Sequence, residues 1–179
     1  MTVFAKKARE RVAGGAPHLA FTDPRIALGS RQPDRTGHAS SLREAPDFET
    51  LEAHIRRLEA EGPAAVDWTE VARLATTLLE THRPDLVVAC WLAYALSRLE
   101  RYRGLAAGLG ILREMVGRHW ETMQPTRERA RVGALEWLAG RAALLCDAEP
   151  AGDEHAAVLY ALEAVKEIER AVSKRLTRD

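Results

Sequence analysis

Six histidines, two cysteines and a few groups of charged residues are the places where this 179-residue chain could do chemistry. His18, His38, His54, His82, His119 and His155 are scattered, with no HExxH pair and no cysteine at zinc-ligand spacing. One or other arrangement is needed to place ligands around one ion from local sequence, so no metal site follows. Cys90 (VVACWLAY) and Cys146 (AALLCDAE) sit in apolar helical contexts without a basic neighbour to favour the thiolate. Each reads as a small buried side chain, neither nucleophile nor half of a disulfide framework, which suits a reducing cytoplasm. There is no GxSxG elbow, and GLAAGLG has the glycines of a phosphate loop without its Lys-Ser/Thr ending or preceding strand. Glu52, Glu59 and Glu61 form a carboxylate-rich group that reads as a solvated helix face, because acid–base work needs carboxyls converging on a cleft with separated pKa values. The residue types therefore imply no catalytic group, no cofactor and no metal.

Two arginine groups and the tryptophans remain. Arg98, Arg101 and Arg103 close the third helical segment, where cations meet the negative end of the helix dipole. Arg127, Arg129 and Arg131 open the fifth, where the dipole disfavours them, so at least one needs a specific partner. A salt bridge or cap inside the bundle is favoured, with Glu121, Glu128 and Glu136 supplying carboxylates, and Arg127 and Arg129 are the candidate contacts to a partner. Trp68, Trp91, Trp120 and Trp137 are each embedded in the apolar pattern of a helix. Core packing is favoured for most of them over a role as interface anchors.

Positioning these residues falls to a series of helices. Phe48, Leu51, Ile55 and Leu58 recur at three and four residues and form one stripe of a first helix that ends near Gly62 and Pro63. Asp67 can cap a second helix, Glu70 completes a capping box, and Val71, Leu74, Ala75, Leu78 and Leu79 supply the buried face before Pro84. Asp85 starts a third helix through about Arg101, apolar on most of its circumference, as expected of one surrounded by others. A fourth runs from about Gly104 to Thr122 with Leu105, Leu109, Leu112 and Val116 inward; Gly104 and Gly108, one turn apart, predict close approach of a neighbouring helix. Pro125 and Thr126 restart the chain into a fifth helix to about Asp147, and Pro150 with Gly152 separates it from a sixth, Asp153 to about Leu176. Along that last helix Val158, Leu162, Val165, Ile168, Val172 and Leu176 share a side opposite Glu163, Lys166, Glu167, Arg170 and Lys174. No segment alternates over a strand length, and the connections are short. The expected fold is all-α, about six helices in antiparallel hairpins packed as a bundle or short solenoid-like stack, without a regular repeat.

Charge is balanced overall at 26 basic and 26 acidic residues, giving no general pull toward nucleic acid, membrane or acidic substrates. Its distribution is uneven: residues 1–43 hold eight basic and three acidic side chains, and residues 44–80 hold three and nine. The glycines and prolines of residues 14–46 read as linker or draped coil. Residues 1–46 are thus expected as a cationic, largely irregular arm and residues 47–179 as one helical domain. The N-terminus lacks the continuous apolar stretch of a signal peptide, and the longest apolar run, Leu86 to Leu96, is too short to span a bilayer.

Five pieces in series, DW-x-x-V-x-x-L-A, DL-x-V-A-x-W-L-x-x-A-L, GL-x-x-GL-x-x-L, W-x-x-x-x-P and R-x-x-x-L-x-WL, resemble the N-terminal ImpA-type domain of the TssA family of the bacterial type VI secretion system. The best match covers residues 67–138, and DFETLEAHI at 47–55 is similar to the family's preceding helix. The resemblance implies a cytoplasmic, non-enzymatic scaffold that assists assembly of the baseplate and the contractile sheath and tube by docking on other components. It also implies that Asp67, Trp68, Asp85, Leu86, Trp91, Leu92, Gly104, Gly108, Trp120, Pro125, Arg131 and Trp137 mark the domain as structural positions. Family members continue into middle and C-terminal domains, the latter forming a ring; one further helix follows the matched segment here, so ring formation is not carried over.

Two other readings stay open. A small helical enzyme or ligand-binding protein would show a deep polar pocket between helices. A nucleic-acid adaptor using the cationic arm would bind with strong salt dependence. No nucleic acid and no membrane insertion are expected of the leading reading, and the amphipathic last helix is the candidate surface for a weak homodimer.

Overall fold

The computed structural model of the protein describes residues 21–32, 42–145 and 149–176. Among them every regular element is helical. The α-helices are α1 Pro46–Glu61, α2 Trp68–Thr81, α3 Leu86–His119, α4 Glu128–Leu145 and α5 His155–Leu176, with 3-10 turns at Pro24–Ser30, Leu42–Glu44, Pro63–Ala65 and Gly152–Glu154. The expected all-α fold is the observed one.

Why each helix begins and stops follows from its ends. Pro46, lacking an N–H that would go unpaired, opens α1, and Gly62 at φ 86° closes it. The stripe Phe48, Leu51, Ile55 and Leu58 is buried. Asp67 caps α2 by accepting from the Glu70 N–H at 3.1 Å. The capping box is only half made, because the Glu70 carboxylate turns away to bind Arg73 at 2.7 and 2.8 Å. Asp85 opens α3 by accepting from the N–H groups of Val87 at 2.9 Å and Val88 at 3.2 Å.

The long α3 is two rods, not one. Arg101 at φ 52°, ψ −126° interrupts it, a conformation that favours glycine and strains a side-chain-bearing residue. A Cβ on Gly104 would lie 1.9 Å from the Leu96 carbonyl oxygen, and one on Gly108 would lie 2.5 Å from Ala93 Cα. Positions rising along the second rod thus face positions falling along the first, so α3 is an antiparallel hairpin. Its two rods correspond to the expected third and fourth helices, with Gly104 and Gly108 at their closest approach.

This hairpin is the centre of the molecule. Residues 86 and 88–97 are buried, as are 104–112. The Pro24–Ser30 turn, α2, α4 and α5 all pack on α3, and α1 packs on α2. Although α4 and α5 are consecutive, they scarcely touch each other.

Three boundaries differ from expectation. Within the expected draped coil, residues Pro24–Ser30 form a 3-10 turn capped by Asp23 and seated on α3. The fifth helix begins at Glu128, three residues after Pro125, whose carbonyl serves another purpose described below. The last helix begins at His155 behind the turn Gly152–Glu154, whose Glu154 carboxylate accepts the Ala151 N–H at 2.8 Å. Cys146 and Asp147, and residues 1–20 and 33–41 of the expected arm, lie outside the described residues.

Candidate functional site

The groups first suspected of chemistry do not converge. His54, His82, His119 and His155 lie on separate elements, and no set of three His, Cys, Asp or Glu among the described residues could hold a metal ion. Cys90 is buried, and desolvation, with a smaller push from the Asp85 charge, raises its thiol pKa far above the ordinary range. Such a thiol stays protonated and poorly nucleophilic. Glu59 binds Trp137 and Arg141, and Glu52 binds Arg56 at 2.8 Å.

The arginines divide as their environments dictate. Arg131 is 5% exposed. Its Nε donates to the Pro125 carbonyl at 2.6 Å and its Nη2 to the Met123 carbonyl at 3.0 Å, while its guanidinium lies 4.7 Å from the Trp120 ring centre. Burial lowers its pKa, against the opposing charges of Glu121 and Glu128. The anticipated in-bundle partner of this group is therefore a pair of backbone carbonyls, and no carboxylate among the described residues forms an ion pair with Arg131. Arg131 clasps the loop that leads from α3 to α4. The same loop is tied to the start of α3, where Leu86 N–H donates to the Gln124 carbonyl at 2.7 Å and Gln124 N–H to the Pro84 carbonyl at 2.8 Å. The Gln124–Pro125 peptide is cis. Arg127 and Arg129 point to solvent and have no side-chain partner among the described residues.

Tryptophans join elements. Trp68 donates from Nε1 to the Pro63 carbonyl at 3.0 Å and meets Tyr94 edge-on at 5.1 Å. Tyr94 meets Trp137 edge-on at 5.6 Å, and Arg141 covers that ring at 4.1 Å. Trp91 stacks on Phe48 at 5.9 Å, tying α1 to α3, and Arg175 joins Arg131 against Trp120. Leu86 and Leu92 are fully buried. Asp85 is 1% exposed and lies 3.5 Å from Arg43, in addition to capping α3.

What remains open is the space between α4 and α5. It is a groove of about 290 Å³ floored by Leu105, Leu109 and Leu112 of α3 and walled by residues including Leu135 and Ala139 of α4 and Val165 and Val172 of α5. Glu136 and Glu169 stand at its lips, one on each helix. Leu176, at 39% exposure, lies at its end. A second cavity of about 530 Å³ lies between the Pro24–Ser30 turn, α2 and α3, with Arg25, Arg31 and Glu80 around Leu92 and Leu96. The sequence offered the last helix as an interaction surface and Glu136 as a carboxylate for the arginines, but not the groove itself nor Glu169 at its lip. Leu176 at the end of the last helix's stripe was the available signal, whereas the separation of two consecutive helices is a tertiary fact.

The family model described as ImpA, N-terminal, type VI secretion system, matches residues 33–140, more than half of the chain. The chain belongs to the ImpA N-terminal family. No curated protein and no solved structure matches it. The ImpA-type match begins well before the 67–138 signature run and takes in α1, α2, both rods of α3 and most of α4. The Pro24–Ser30 turn and α5 lie outside the matched residues. No helix among the described residues of this ImpA-type protein is long and apolar enough to cross a membrane.

Proposed function

We propose that this chain is a non-enzymatic docking module of a TssA-like protein, acting in the cytoplasm to assist baseplate and sheath–tube assembly through protein–protein contacts. The family match over residues 33–140 supports the reading. So does the disposition of the side chains: the conspicuous residues are spent on capping, clasping and packing, and the groove between α4 and α5 offers apolar surface with few polar groups. A substrate pocket instead needs convergent polar groups to orient the reacting atoms. Partners are expected among baseplate, sheath, tube or membrane-complex components.

A pull-down with the full chain from a strain assembling the apparatus is expected to recover at least one such component above background. Recovery of none would count against the proposal, and turnover of a substrate by the purified chain would remove its non-enzymatic part.

A further inference from the structure

The groove between α4 and α5 carries an inference about the kind of partner. Consecutive helices joined by a short connection usually cover each other's apolar stripes. Here both pack on α3 and leave a channel between them. Leu135 and Val172 are only half-buried on its walls, and Leu176 is exposed at its end. On the α4 side the wall is lowered by Ala139, Ala142 and Ala143, which lets a backbone come close. A channel between two helices, apolar in its floor and walls, has the form that receives an amphipathic helix.

The lips state the charge of that helix. On the outward face of α5, Glu163 pairs with Lys166 at 2.8 Å, and Glu167 lies 3.5 Å from Arg113 of α3. Glu136 and Glu169 face the groove and have no ion pair among the described residues. Two unpaired carboxylates flanking apolar walls repel an acidic segment and attract a basic one. They also disfavour a second copy, because symmetric pairing across the groove would bring the same carboxylates together. Among the described residues the large exposed apolar side chains are Leu99 and Leu176, too few to form a ridge for insertion into another copy's groove. We propose that the α4–α5 groove docks an amphipathic α-helix of a partner protein, with an apolar ridge seated over Leu105, Leu109 and Leu112 and Lys or Arg beside it meeting Glu136 and Glu169.

The proposal deepens the docking reading above, and rests on it, but its test needs no secretion component. Two synthetic helical peptides of identical leucine ridge, one flanked by lysines and one by glutamates, are titrated against the full chain by fluorescence anisotropy. The lysine peptide is expected to bind about tenfold tighter, and Glu136→Lys combined with Glu169→Lys to reverse the order. Ala139→Trp, which fills the channel, is expected to weaken the lysine peptide by about tenfold or more. Both sets of substitutions lie at positions open to the groove, and an unchanged thermal midpoint shows that the fold is kept. Equal binding of the two peptides, or binding indifferent to both variants, overturns the proposal. A chain dimer that Ala139→Trp dissolves names a second copy as the occupant, and binding that appears only after residues 1–20 are deleted names the chain's own arm; each also overturns it. Peptide binding with a failed pull-down would instead leave this inference standing and sink the secretion-system reading.

Discussion

Arg131 sits in the first turns of α4, where the helix dipole repels a cation, and it is nonetheless among the most buried charged residues described. Two carbonyl acceptors and an aromatic face offset both costs. Arg131→Met keeps much of the packing but strands those carbonyls, and it is expected to lower unfolding free energy by about 2 to 4 kcal/mol in urea titrations. Arg131→Lys keeps the charge without the planar fork and should recover only part of that loss. Arg127→Ala and Arg129→Ala should stay within about 0.5 kcal/mol of the parent, since both side chains are solvent-exposed. Equal effects at all three positions would dismiss the clasp. The dipole argument marked the three arginines as a group, and the family resemblance set Arg131 apart as a structural position; its clasp on the preceding loop depends on where that loop folds back, and no local spacing encodes that. A second prediction concerns Asp23, whose pKa is lowered first by its hydrogen bond to the Arg25 side chain, against some desolvation. A carboxylate with a depressed folded-state pKa contributes stability that is present above its unfolded value of about 3.9 and lost as pH falls through the folded value. Asp23→Asn keeps a capping oxygen for the Arg25 N–H, so it isolates the charge. The variant should be less stable than the parent at neutral pH, with the gap closing as pH falls through the depressed folded-state pKa of Asp23, below the ordinary carboxylate range; a gap independent of pH would mean that the pairing with Arg25 contributes nothing.

Helix α3 shows how one residue type acts oppositely at different places in an element. Replacing an interior helical glycine by alanine is worth about 1 kcal/mol in propensity. At Gly133 and Gly140 of α4, and at Gly117 near the end of α3, a Cβ would meet nothing within 4 Å. Alanine at each should therefore raise stability by about 0.5 to 1 kcal/mol. At Gly104 and Gly108 the same Cβ would strike the Leu96 carbonyl and the Ala93 backbone across the hairpin. Alanine there should reverse the sign and cost about 1 to 3 kcal/mol, because the two rods must separate. Thermal unfolding of the five single variants checks this, and a stabilising Gly108→Ala would show that the rods do not meet as described. Helices were the most legible part of the sequence: stripes at three- and four-residue spacing, Asp67 and Asp85 as caps, and the Gly62–Pro63 stop all act within a few residues. The reversal at Arg101 was legible as a boundary, since Arg101 and Gly104 bracket it, although nothing in an arginine announces a positive φ. The start of α4 was read three residues early because Pro125 and Thr126 look like a helix opening, whereas the Pro125 carbonyl is taken by Arg131.

Across the whole molecule, the ImpA-type residues 33–140 supply the hairpin core, and two elements beyond that span pack on α3 to complete it. One is α5, which forms a wall of the groove. The other is the Pro24–Ser30 turn, whose attachment the sequence concealed because it is made by distant partners and by the absence of a side chain. Arg25 reaches Glu100, 75 positions away, at 2.6 and 2.7 Å. Gly29 lets the turn lie against the α3 backbone, where a Cβ would come within 2.0 Å of the Ile111 carbonyl oxygen. Ile26 and Tyr160 converge on Gly110 from the turn and from α5, and Phe21 meets Tyr160 at 5.1 Å. The turn therefore links α5 to the core from the side away from the groove. If it does, loosening the turn must be felt at α5. Gly29→Ala, whose clash is with backbone and cannot be relieved by a rotamer, should lift the turn off α3. Hydrogen exchange is expected to quicken by about tenfold in the Pro24–Ser30 turn and also in the first turns of α5, while α1 and α2 change much less. An alanine variant with exchange faster in the turn alone would show that α5 is held by α3 without help from the N-terminal side. Protection lost equally in every helix would instead make the turn part of one cooperative unit with the core.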